Sequence, residues 1–167
     1  APPAGAQRLA AALQDSDFPE AARLAFGLKH PGRLLKIITR AATATANAST
    51  AAASTAIPTA AATAAAAAGG PLGRLLSGLV GAMSDSDIRT ALEYCRDWNT
   101  HAKHCHAAQA LLGAVLRAHS PEKLLGISGL SELLAALTAY SGRHFSRLDR
   151  LALFYSKSGH FKRRFQI

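Results

Sequence analysis

Tyr94-Cys95-Arg96-Asp97-Trp98-Asn99-Thr100-His101-Ala102-Lys103-His104-Cys105-His106-Ala107-Ala108-Gln109-Ala110 holds the only Trp of the chain, both Cys and three of the seven His. Upstream of it, Ile88, Ala91, Leu92, Cys95 and Trp98 recur at three- and four-residue steps, one face of a helix that Trp98 plugs at its end. Ser84 or Asp85 is placed to cap that helix, with Asp87 in its first turn. Downstream, Cys105, Ala108, Leu112, Val115 and Leu116 repeat the pattern over Lys103 to His119. The stretch therefore reads as the joint between two helices, with Asn99 or Thr100 as an N-cap that sets their angle.

The same periodicity extends outward. Leu72, Leu75, Leu76, Leu79 and Val80 give the cleanest amphipathic period, after the break at Gly69-Gly70-Pro71. Near the start, Ala6 to Leu13 can form a short helix behind a frayed lead. Asp17-Phe18-Pro19-Glu20 then carries a cap, a first-turn proline and the acid of a capping box. Ala21, Leu24, Ala25 and Leu28 share the face that follows, and Pro31 stops this helix at His30. Pro31 opens another, burying Leu34, Ile37 and Ile38 while Arg33, Lys36 and Arg40 stay in water.

Toward the end, Ser120-Pro121-Glu122 starts a helix bearing Leu124 and Leu125, and Gly126-Ile127-Ser128-Gly129 breaks it. Leu130, Leu133, Leu134 and Leu137 mark the next, and Ser141-Gly142 separates it from a last helix with Phe145, Leu148, Ala152 and Tyr155. No alternating strand pattern occurs. The fold class is all-α, a bundle or right-angle array of six to eight short helices.

One region departs from this. From Ala41 the sequence is Ala, Thr and Ser with no charge and only Ile57 as a large apolar side chain. Residues 41–71 read as a low-complexity, mostly disordered insertion, with helix possible at 60–68. The expected organisation is thus a lead over 1–16, first helices over 17–40, the insertion over 41–71, the main helical domain over 72–155 and a basic tail over 156–167. The opening Ala1-Pro2-Pro3 and the single Met, at position 83, read as a piece of a longer protein.

Nineteen Lys and Arg against ten Asp and Glu give a formal charge of +9, which favours polyanionic surroundings such as RNA. Two Cys ten positions apart make a poor disulfide framework and point to a reducing compartment. No run of roughly 18 apolar residues of membrane character exists, and the opening lacks the order of a secretory signal. A soluble intracellular protein is expected.

His101, His104, Cys105 and His106 invite a zinc reading, because His101 and Cys105 are four apart. A closed site needs four converging ligands, however, and residues 104 to 106 point in different directions round a helix. No metal is expected. A nucleophile built from Cys95 or Cys105 with His101 is disfavoured too, because both thiols fall on buried faces and Asp97 is the only acid near. No phosphate loop, paired carboxylates or zinc-protease motif is present. No catalytic residue, cofactor or small-molecule substrate is expected.

Three segments, Asp17 to Ile38, Leu92 to Leu116 and Gly129 to Leu148, carry a resemblance. In them stand His30-Pro31 followed by Arg33-Leu34-Leu35, then Trp98-Asn99-Thr100 with Cys105-His106 and Ala108-Gln109, then Tyr140 with Arg143-His144-Phe145 and Arg147-Leu148. Together they resemble the C-terminal helical domain of the Utp-thirteen family, transducin-beta-like WD-repeat subunits of the UtpB subcomplex of the small-subunit processome. The resemblance covers most of the chain outside the insertion; the end from Phe154 does not follow it.

It implies a non-catalytic assembly domain in the nucleolus that joins sister WD-repeat subunits of UtpB through their C-terminal helical domains. Pre-ribosomal RNA or a small nucleolar ribonucleoprotein would lie nearby, with no membrane involved. The interface residues expected on this reading are Trp98, Asn99, Leu134, Leu137, Tyr140, His144, Phe145 and Leu148. The alternative is a basic helical module that contacts pre-ribosomal RNA directly. Arg143, Arg147 and Arg150 fall at i, i+4 and i+7, and Lys162, Arg163 and Arg164 continue the charge between Phe161 and Phe165.

Overall fold

The computed structural model of the chain describes residues 4–52 and 70–157, with side chains over 4–47 and 70–154. Positions 53–69, including the helix expected at 60–68, and the tail from 158, including Lys162, Arg163 and Arg164, lie outside the described residues. Eight α-helices and one 3₁₀ turn make up the rest. They are α1 (Ala4–Gln14), α2 (Phe18–Gly27), α3 (Pro31–Ala52), α4 (Pro71–Val80), α5 (Asp85–Asn99), the 3₁₀ turn (Ala102–His104), α6 (Cys105–Ala118), α7 (Pro121–Gly126) and α8 (Leu130–Lys157). No strand occurs among the described residues, so the chain is all-α.

The helices form two neighbouring groups. α1, α2, α3 and α4 pack on one another, α5 packs between α6 and α8, and α4 and α3 meet α6 across the junction. One continuous apolar core threads both groups, from Leu9 of α1 through Leu34, Ile38, Leu75, Ile88, Leu92 and Leu111 to Leu137 of α8. Each of these side chains is almost wholly removed from water. Burial of that kind contributes about 1.5–3 kcal/mol per large aliphatic residue before chain entropy is offset.

Local signals start the helices. Asp17 accepts from the Glu20 amide at 3.3 Å and Pro19 lies in the first turn of α2. Glu20 does not complete the capping box; its carboxylate pairs with Arg23 and lies 3.8 Å from Arg8. Ser84 and Asp87 do form a reciprocal box at the start of α5. Ser120 caps α7. At the end of α2 the amide of His30 donates to Ala25 O and that of Lys29 to Phe26 O, with Lys29 at φ 53°. This is the left-handed closure that glycine usually supplies.

Two elements differ from the sequence reading. The helix from Pro31 does not stop at Arg40 but runs to Ala52, so 41–52 is ordered helix and not a disordered insertion. Ala41 and Thr45 continue its buried face. The threonines satisfy their hydroxyls on the helix itself, Thr39 to Leu35 O, Thr43 to Arg40 O and Thr45 to Ala41 O, each at 2.8 Å. Thr45 Oγ1 also accepts from the Leu72 amide at 3.2 Å, supplying the first turn of α4 with the cap that Gly70 cannot.

The second difference lies at Ser141-Gly142, which does not divide two helices. α8 is one helix of 28 residues, about 42 Å at 1.5 Å per residue. Gly142 is exposed, where an interior glycine costs only about 1 kcal/mol relative to alanine. Ser141 turns its hydroxyl to α5 and α6 and so does not compete for its own backbone. In α6, Leu111 takes the core position and Leu116 is 46% exposed, so the buried stripe is centred one step away from the expected one.

Candidate assembly surface

The end of α5 is the crossing point of three helices. Asn99, 1% exposed, closes α5 and sends its side chain between α6 and α8. Its Nδ2 donates to Ser141 Oγ at 3.2 Å, and Gln109 Nε2 donates to the same oxygen at 2.7 Å and reaches Asn99 Oδ1 at 3.5 Å. His144 Nε2 lies 2.7 Å from the Asn99 carbonyl oxygen. A carbonyl only accepts, so the imidazole carries its proton on Nε2 and donates. One residue from α5, one from α6 and two from α8 thus satisfy each other where the helix interior could not otherwise accommodate an amide.

Beside this polar lock, Trp98 is 6% exposed and stacks on Tyr94 at 6.1 Å between ring centroids, and Tyr94 meets Phe26 of α2 edge-on at 6.0 Å. Trp98 and Asn99 are therefore interior residues, as is Leu137 at 2% exposure, and none offers surface to a partner. The side chains that point to one side of α5 and α8 are consumed in joining those helices. Neither Asn99 nor Thr100 is an N-cap. Thr100 closes α5 with its hydroxyl on Asp97 O at 2.6 Å, and His101 precedes the 3₁₀ turn in extended backbone.

The chemistry of the joint is quiet. Burial pushes the Cys95 thiol up to about 12, which holds it protonated, while Cys105 is half-buried at the start of α6. The rings of His101 and His104 meet at right angles, 6.0 Å apart. Among the described residues no group of three or more His, Cys, Asp or Glu is placed to hold a metal ion. An open polar groove of about 190 Å³ between α5 and the start of α8 is lined by Arg89, Glu93, Arg96 and Glu132 beside Leu133. Its arginines are answered locally, Arg89 by Glu93 at 3.2 Å and by Ser128 O at 2.8 Å, and Arg96 by Asp97 at 2.9 Å. No described helix is long and apolar enough to cross a membrane.

The remaining expected residues lie along α8. Leu134, Tyr140 and His144 are half-buried against the domain, and Phe145 and Leu148 are 59% and 48% exposed. From Phe145 to Phe154 every residue of α8 is exposed. The face that packs against α5 runs Leu130, Leu134, Leu137, Ser141 and His144 in alternating steps of four and three. The same steps lead on to Leu148 and Leu151, so the apolar stripe outlasts the domain it packs on. Arg147 lies at the edge of that stripe and Arg143 and Arg150 further round the helix, all exposed. Arg143 sits 4.4 Å over the Tyr140 ring, and neither Arg147 nor Arg150 has an ion-pair partner among the described residues.

A family described as the Utp13 specific WD40 associated domain matches residues 6–153, nearly the whole chain. The chain belongs to this family. Over 139 residues, 83% of its length, the domain is 28% identical to U3 small nucleolar RNA-associated protein 13 of Saccharomyces cerevisiae. Over 59 residues, 35% of its length, it is 51% identical to transducin beta-like protein 3 of Homo sapiens, and over 60 residues 47% identical to that of Bos taurus. The matched stretches amount to 16%, 7% and 8% of those proteins, so this Utp13-type domain corresponds to a small part of each.

In the Utp13-type domain, then, the motif residues divide. Trp98, Asn99, Gln109 and His144 build the joint, and Phe145, Arg147 and Leu148 stand on the projecting half of α8. Ser141 and Gln109 belong to the joint although neither is among the site residues expected from the sequence. Their signal was a polar residue on each of two otherwise apolar helical stripes, which here marks a buried hydrogen-bond pair.

Proposed function

We infer that this chain is a non-catalytic assembly domain of a ribosome-biogenesis protein, joining WD-repeat subunits of the UtpB subcomplex during processing of small-subunit ribosomal RNA in the nucleolus. Membership of the WD40-associated family supports the setting. One relative is named for association with a small nucleolar RNA. The observation that carries the mechanism is the exposed continuation of the α8 core stripe through Leu148 and Leu151, at 48% and 46% exposure. Large aliphatic side chains in register with a buried face favour a protein partner, because their removal from water drives association without direction. The partners would be sister WD-repeat subunits through their own helical domains.

Light scattering after co-purification with the C-terminal helical domain of a sister subunit tests this. A complex that survives about half-molar salt is expected, since screening at that strength removes exposed charge contacts but not apolar ones. Leu148→Asp with Leu151→Asp should split it. A chain that stays monomeric beside every such partner at about 10 μM, where a complex of ordinary micromolar affinity would form, overturns the reading.

Arg143, Arg147 and Arg150 favour a second reading, direct contact with pre-ribosomal RNA. Three phosphate contacts predict affinity that falls with salt at a slope near −2 on log–log axes for a single strand. Charge reversal at the three arginines should remove it.

A further inference from the structure

The projecting half of α8 carries two faces, and together they specify what covers it. Its apolar face keeps the four-and-three spacing through Leu148 and Leu151 to position 155, the spacing by which one helix seats on another. From 145 to 157 the sequence holds Arg147, Arg150 and Lys157 against Asp149 alone, a net +2, with Arg143 just before it. Arg147 stands directly beside the apolar stripe, where flanking charges in a helix pair choose the partner.

No segment of these 167 residues outside the described ones carries an acidic residue that could cover it. All ten Asp and Glu lie between Asp15 and Asp149, within the described residues; 53–69 has no charge and 158–167 is basic. A second copy would set +2 against +2, which disfavours pairing. RNA would answer the arginines and leave Leu148 and Leu151 in water.

We propose that residues 145–157 of α8 form one half of a heterotypic helix pair, whose other half is an acidic amphipathic helix of a protein partner, with Leu at the seam and Asp or Glu at its flanks. This rests on the assembly reading above and adds to it the chemistry of the partner. The seam excludes water over Phe145, Leu148 and Leu151, and the flanking carboxylates select against basic helices.

A photoreactive benzoylphenylalanine at position 151, in the whole chain expressed in cells, tests it. Leu151 is 46% exposed, so the substitution leaves the core intact. Mass spectrometry of the adduct should give a peptide of another protein, amphipathic and rich in Asp and Glu. Its yield should fall roughly tenfold with Arg143→Glu, Arg147→Glu and Arg150→Glu, and return when the partner's acids are changed to Lys. An adduct with RNA, with a second copy, with the chain's own tail or with a neutral or basic protein segment overturns the proposal. In that last case the assembly reading stands; it falls if the unmodified chain stays monomeric beside every sister subunit.

Discussion

His144 on α8 donates its Nε2 proton to the backbone carbonyl of Asn99, the last residue of α5, at 2.7 Å. The bond answers a carbonyl that the α5 helix leaves free at its C-terminus. It also marks the point on α8 beyond which every described side chain is exposed. Residues before His144 are held and residues after it project.

His144→Ala should therefore cost about 1–3 kcal/mol in urea unfolding, the range for stranding a part-buried acceptor. Phe145→Ala, one residue on but 59% exposed, should fall within about 0.5 kcal/mol of the parent. Equal effects at the two positions would show that the hydrogen bond is not what anchors α8.

The fold was legible wherever burial is periodic. Leu75, Leu76, Leu79 and Val80 are all buried as their spacing requires, and so are Ile88, Ala91, Leu92 and Cys95. The joint was less so. Trp98, Asn99 and Leu137 stand among the interface residues that the resemblance implies and yet are buried, because a motif alone does not tell whether its residues bind a partner or each other. Asn99 meets Ser141 and His144 at sequence separations of 42 and 45, distances that no helical period can register.

The same blindness applies to α3. Its stretch beyond Arg40 is tied to α4 by Thr45, a residue of modest helix propensity whose hydroxyl reaches Leu72 across 27 positions. Thr45→Val keeps the shape and removes the hydroxyl. It should cost about 1–2 kcal/mol, the value of a helix cap, with the loss localised by amide exchange to the first turn of α4. Thr39→Val is the control, because that hydroxyl bonds only its own helix at an exposed position. A loss as large at Thr39 would mean that helix propensity, not the cap, is being measured.

Lys29 ends α2 at φ 53°, in a region that disfavours a side chain bearing a Cβ by roughly 1–2 kcal/mol. Its side chain is exposed, so little packing is lost on replacement. Lys29→Gly should stabilise the domain by about 0.5–1 kcal/mol, the strain relieved being partly offset by the freedom glycine gains when unfolded. Lys29→Ala, which keeps the Cβ, should give none of that gain. Thermal unfolding of the two variants side by side distinguishes relief of strain from loss of a surface charge.

The two thiols should separate cleanly in reactivity. Cys95 is 0% exposed and desolvation pushes it up to about 12, only partly opposed by the backbone of Leu112, so at pH 8 its thiolate is about one part in ten thousand. Cys105 is half-buried at the start of α6, where reagent can reach it. An aromatic disulfide reagent at pH 8 should therefore modify one equivalent quickly and the second only as fast as the domain opens. Cys105→Ser should abolish the fast phase and leave the slow one, whose rate then reports opening of the α5–α6 core. A second fast equivalent in the folded chain would place Cys95 at the surface, and with it the whole α5 stripe that Leu92 and Trp98 share.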